Sequence, residues 1–183
     1  DPYIPVFNDT FSMEIAFKFP NTHNNAPLWS MSNSYSTWSA PYAILYRDGT
    51  NGNLKFAATA SSSSHMDQTV VSFPSGRISD DMDFVHLVIT CKNRTVKFYI
   101  DGTLSQTEHP FTCPTTDDHT NTVALGLGVQ RMQRLGSKKI RKLAMYDAEL
   151  SASEVSQLHL VAYSSSSTRV DSGLDCHPPS PPG

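Results

Sequence analysis

The side chains best placed to do chemistry in this 183-residue chain are a run of basic residues, a loop of aromatic residues and a few carboxylates. Arg131, Arg134, Lys138, Lys139, Arg141 and Lys142 are six of the fourteen lysines and arginines, and no acid occurs from His119 to Tyr146. The run carries +6 and the remainder −9, which together give the net −3. Such an asymmetry makes a local field that attracts polyanions although the whole chain is acidic. The same charges also suit an exposed strand, where lysine and arginine guard against edge-to-edge pairing, and both roles stay open. Tyr35, Trp38 and Tyr42 fall in or beside a loop rich in serine and asparagine. Rings there would stack on a sugar face while polar neighbours bond its hydroxyls; packing over the end of a sandwich is the competing role for Trp38.

Carboxylates and histidines point away from catalysis. Glycosidic hydrolysis uses two carboxyl groups about 5 to 9.5 Å apart, and a Glu-x-Asp-x-x-Glu run, which would line such groups along one strand, does not occur. The glutamates number four, Glu14, Glu108, Glu149 and Glu154, while Asp80, Asp81 and Asp83 cluster in a turn-like context that reads as a solvated loop. Seven histidines are scattered without the i, i+4 or short Cys/His spacings of a zinc site. Nothing indicates a nucleic-acid partner, and no segment reaches the about 20 apolar residues of a membrane span.

Strands have to position these groups. Phe11, Met13, Ile15, Phe17 and Phe19 alternate with Ser12, Glu14, Ala16 and Lys18, which predicts a half-buried strand with one face toward the core and one toward water. Leu28 to Met31 starts another strand; Tyr42 to Arg47 and Asn53 to Thr59 read as a hairpin about a glycine-containing loop; Val70 to Phe73 and Val123 to Val129 add two more. From Phe84 to His109 the chain spells a β-meander. Val85, Leu87, Ile89 and Cys91 share one face, His86, Val88 and Thr90 the other, and Val96, Phe98 and Ile100 repeat the period of two. Its turns are Lys92-Asn93-Arg94 and Asp101-Gly102. Ser151 with Glu154 forms a capping box that opens a helix whose Val155, Leu158 and Leu160 would face the sheet. Trp29, in a strand, belongs to the core. Many short strands and one helix argue for an all-β jelly-roll sandwich of two antiparallel sheets, spanning residues 1–163, with residues 164–183 as a Ser/Pro-rich extension or linker whose Pro178 to Gly183 end is extended polyproline II.

After one strand up, one down and one up, Cys91 and Cys113 lie at the same end of the sheet, which predicts a disulfide; two buried free thiols are the alternative. Cys176 lies outside the fold, so its partner is another chain, another segment or nothing. Asn8-Asp9-Thr10 and Asn93-Arg94-Thr95 are glycosylation triplets, the second at a hairpin tip that tolerates a glycan. Disulfide and glycans together indicate an extracellular or cell-surface glycoprotein. A start at Asp1 without a signal peptide reads as a piece processed from a larger precursor.

The Phe84–His109 meander and the stretch KKIRKLAMYDAELSASEVSQLH together resemble the laminin-G-like branch of the concanavalin A-like lectin fold. The residues that carry the likeness are His86, Tyr99 to Gly102, Tyr146-Asp147, Leu150-Ser151 and Glu154, with Phe84-Val85 where the family usually has a tryptophan. The resemblance implies a structural, hydrogen-bonded His86. It also implies that a basic cluster serves sulfated glycans or acidic partners, and that a rim calcium ion would be the cofactor. Asp48, Asn51, Asp117 and Asp118 are the hard oxygen donors such an ion would take, although Asp48-Gly49 and Asn51-Gly52 read first as simple turns. The expected function is a non-enzymatic binding or adhesion module of a larger cell-surface or matrix protein, recognising a glycan or another protein chain. A structural domain held in an assembly by its proline-rich tail is the alternative, and a glycoside hydrolase the weaker one.

Overall fold

The computed structural model describes residues 10–18, 26–32, 43–48, 53–59, 67–73, 84–114, 122–125 and 139–164. Ten strands come first: β1 (Thr10–Lys18), β2 (Ala26–Ser32), β3 (Ala43–Arg47), β4 (Leu54–Ala58), β5 (Asp67–Val70), β6 (Val85–Lys92), β7 (Thr95–Ile100), β8 (Thr103–Glu108), β9 (Thr122–Leu125) and β10 (Lys139–Tyr146). One helix, α1 (Ala152–Ser164), follows. The strands form two antiparallel five-stranded sheets, in the orders β10-β1-β6-β7-β8 and β5-β4-β3-β2-β9. This is the jelly-roll sandwich that the alternation predicts.

The core follows from the period of two. Phe11, Met13, Ile15 and Phe17 of β1, Val85, Leu87 and Ile89 of β6, and Phe98 of β7 point into one cluster with Trp29, Met31, Leu45 and Phe56 of the other sheet. Trp29 stacks on Phe11 and Phe98 meets Phe56 edge-on, each pair at 5.9 Å between ring centroids, so the two sheets interlock through aromatic contacts. A slip of one residue in β1 would turn four of these side chains outward, which is why the register Met13↔Ile89 is strongly fixed.

Both meander turns have two central residues with positive φ: Asn93 at 49° and Arg94 at 59°, then Asp101 at 50° and Gly102 at 80°. Turns of this hand match the right-handed twist of the strands they join. Cys91, near the end of β6, is bonded to Cys113 beyond β8, with Cα atoms 5.5 Å apart. On that side of the sandwich the edges β5 and β8 are stitched by side chains. Ser72 N donates to Gln106 Oε1 (2.7 Å), Ser105 Oγ to the Ser72 carbonyl (2.5 Å), and Thr112 N to Asp67 Oδ2 (2.6 Å).

Three sequence expectations are corrected. The outward face of β1 is not wet: Ser12 and Glu14 are 0% exposed and Ala16 2%, because the chain after β10 folds back over that face. Ser12 Oγ donates to the Ala148 carbonyl at 2.6 Å and receives Leu150 N at 3.1 Å. The strand expected at Val70 to Phe73 is instead the polar Asp67–Val70, since this edge strand uses its side chains as cross-links, and Val71 and Phe73 anchor to the core only after the strand ends. Leu160 is 65% exposed, because the inward stripe of α1 runs through Val155, His159 and Ala162 at i, i+4 and i+7. Only the first part of the strand expected at Val123 to Val129 is described, as β9.

The capping box forms as the sequence predicts. Ser151 N donates to Glu154 Oε2 (2.7 Å) and Glu154 N donates to Ser151 Oγ (3.3 Å), satisfying two helix-terminal donors reciprocally. Ser151→Ala is expected to cost about 1 kcal/mol, a fall in thermal midpoint of about 2 to 4 °C measured by circular dichroism.

Candidate functional site

Two features stand out around sheet β10-β1-β6-β7-β8, one buried and one exposed, and β10 belongs to both. Opposite the bend of β1, β10 carries an extra residue: Ala16 pairs with Lys142 and Phe17 with Ile140, leaving Arg141 as the bulge. A bulge re-aims its side chain. Arg141 is exposed, and its guanidinium carbon lies 4.3 Å from the centre of the Phe84 ring, a cation–π contact that restrains the side chain. Its neighbour goes the other way. Lys142 Nζ reaches 2.8 Å from Glu14 Oε1, so this half-buried lysine pairs with a buried carboxylate.

Glu14 is the centre of the buried feature. His86 Nε2 lies 2.8 Å from Oε1, and Tyr146 Oη donates to Oε2 at 2.8 Å, so β1, β6 and β10 all supply partners. Lys142 and Tyr146 can both point there because residues four apart on a strand share a face. Burial pushes the Glu14 carboxyl up, but hydrogen bonds from His86, Lys142 and Tyr146 outweigh it and hold the group at about 2. The Tyr146 phenol is pushed up to about 12 by burial and by donating to the anionic Glu14. His86 is fully buried, its main-chain N–H donates to Asp101 Oδ1 at 3.2 Å, and its Nδ1 has no hydrogen-bond partner. Alternation along each strand set the type of face; it did not reveal this cluster, since Glu14 and His86 are far apart in sequence. The detectable signal was Lys142 and Tyr146 at strand spacing of four.

Each of the other glutamates also has a structural partner. Glu149 takes Lys97 at 2.8 Å and Lys92 at 3.7 Å, and the Lys97 bond holds its carboxyl below the usual range. Glu154 caps α1, and Glu108 Oε1 accepts from Gln106 Nε2 at 2.6 Å. For calcium, Asp48 is nearly buried and its Oδ2 is paired with Lys55 Nζ at 2.7 Å. Among the described residues no group of three His, Cys, Asp or Glu side chains converges on a metal position. Asn93 is exposed at its hairpin tip. Lys139 begins β10. The remaining sequence-derived positions lie outside the described residues: Asn8, Tyr35, Trp38, Tyr42, Asn51, Asp117, Asp118, Arg131, Arg134, Lys138 and Cys176, together with the proline-rich end. None of the helices described is long and apolar enough to cross a membrane.

Known proteins were then compared with this geometry. The receptor binding domain of botulinum neurotoxin C/D mosaic serotype superposes with a TM-score of 0.62 at 18% identity over 84% of this chain and 36% of its own. The receptor binding domain of botulinum neurotoxin D gives 0.62 at 14% identity over 88% and 39%, and that of type G gives 0.55 at 16% over 84% and 38%. At these identities the likeness is one of fold, and the chain spans less than two-fifths of each of those chains. No curated protein sequence matches the chain. A laminin-G family profile, described as the concanavalin A-like lectin/glucanases superfamily, matches residues 2–156. With that match over most of its length, and with the sandwich, meander and capped helix in place, the chain belongs to the concanavalin A-like lectin/glucanase superfamily.

Proposed function

We propose that this domain is a non-enzymatic extracellular binding module that recognises a glycan bearing acidic groups through the basic run ending in β10. The observation that carries the reading is Arg141, an exposed guanidinium at the bulge of β10 whose central carbon lies 4.3 Å from the centre of the Phe84 ring. A planar fork pre-set in this way suits the paired oxygens of a sulfate or carboxylate and loses little freedom on binding. Two further points support it. Each of the four glutamates has a partner within the fold, which supports a non-enzymatic module. Structural neighbours that share the sandwich are named as receptor binding domains, and the Cys91–Cys113 bond fits an oxidising compartment.

Retention on immobilised heparin tests this. Binding should weaken steadily as salt rises, because charges on an exposed face are screened beyond about 8 Å at physiological ionic strength. The triple change Lys138→Ala, Lys139→Ala, Arg141→Ala should remove most retention, while Arg141→Lys should lie between it and the wild type, keeping charge but losing the fork. Lys142 is the control to avoid, since its loss strips Glu14 of a partner. Salt-independent retention, or retention unchanged in the triple variant, would refute the reading.

A further inference from the structure

We propose that α1 is a proton-sensitive latch, released from the outer face of its sheet when the pH falls through the range in which imidazoles take up protons. The inward stripe of the helix is Val155, His159 and Ala162. Val155 is fully buried against Val88 and Tyr99, but one turn later the position that would ordinarily hold a large apolar residue holds His159. Its ring meets the buried His86 ring with centroids 5.4 Å apart and planes inclined by 41°. The seat is shaped for it: Gly102, at φ +80°, lies where a Cβ would come within 3.1 Å of the His159 Cβ. Gln157, Leu160 and Val161 are exposed and Leu158 is half-buried, so the second turn of α1 is seated through His159 with Leu158 beside it.

The charges that face this pair come from every neighbouring element. On β1, Glu14 bonds His86 Nε2; on β10, Lys142 and Tyr146 bond the same carboxylate; in the β7–β8 turn, Asp101 accepts the His86 main-chain N–H. Tyr99 stands on β7 beside Val88, Thr103 and Leu104 of β8 carry no charge, and Glu154 on α1 is turned to the Ser151 cap. Glu14, ionised above about pH 2 and 2.8 Å from His86 Nε2, can balance one positive charge on the pair. A second sets two like charges in ring contact with Lys142 also in the cluster, and withdrawal of the helix separates them. Release uncovers Val88 and Tyr99, an apolar strip on an otherwise polar face.

Amide hydrogen exchange of the full chain, read by mass spectrometry at about pH 7.5 and about pH 5.5 and corrected for intrinsic rates, tests this in the imidazole range. In the wild type, protection of the amides of α1 should fall roughly tenfold or more on acidification while β6 holds. In His159→Leu, and in His159→Gln as a second uncharged replacement, α1 protection should be the same at both pH values. Equal α1 protection at both pH values in the wild type would overturn the latch. So would a pH-dependent loss that persists in both His159 variants.

Discussion

Replacing Glu14 with alanine is expected to lower the unfolding free energy by about 3 to 5 kcal/mol at neutral pH, the usual cost of stripping one partner from a buried charged network. The variant leaves His86 without its acceptor, Lys142 beside an apolar gap and the Tyr146 hydroxyl without its carboxylate. The pH dependence has a definite sign. The native carboxyl at about 2 lies below its ordinary 4.5, so its contribution is present above pH 4.5 and disappears as the pH falls toward 2. That difference corresponds to roughly 3 kcal/mol. Urea unfolding of the wild type and of Glu14→Gln should therefore differ most near neutrality and converge through this acid window. A Glu14→Ala cost below about 1 kcal/mol, or a difference from Glu14→Gln that stays constant with pH, contradicts this account.

Removing the disulfide is expected to be the next largest effect. Cys91 and Cys113 are separated by 22 residues, and closing a loop of that size stabilises the fold by about 3 kcal/mol in the chain-entropy view. Both side chains are buried beside the aromatic core, so the doubly substituted Cys91→Ala, Cys113→Ala protein loses packing as well. Its thermal midpoint should fall by at least about 6 to 12 °C, and a reducing agent should lower the wild-type midpoint while leaving the variant unchanged. A wild-type midpoint insensitive to reduction would show that the link adds nothing to stability.

The parts of this molecule that sequence made legible are those in which one local rule decides the outcome. Alternation in Phe11 to Phe17 and Val85 to Cys91 assigned the core face correctly, and the Asp101-Gly102 and Ser151–Glu154 signals placed a turn and a helix start. What alternation cannot say is whether the second face of a strand meets water or another layer. Ser12, Glu14 and His86 read as polar-side residues, and only the return of the chain through Ala148 to His159 buries them. For the proposed binding strip, composition revealed the basic run and missed how it divides. Arg141 is the extra residue of β10 opposite Ala16 and Phe17, while Lys142 turns to Glu14, so two adjacent and alike residues have opposite fates.

The placing of β1 between β6 and β10 has a consequence for how the protein is made. Glu14 waits 132 residues for Tyr146, and at about 5 to 20 residues per second the ribosome needs roughly 7 to 26 s to supply it. Once β6 has been made, in the later part of that interval, it can pair with β1, while the opposite edge of β1 and an incompletely partnered carboxylate stay open until β10 follows. The nascent domain therefore passes through a long-lived half-sheet, and its yield depends on whatever shields that edge until the last strand emerges.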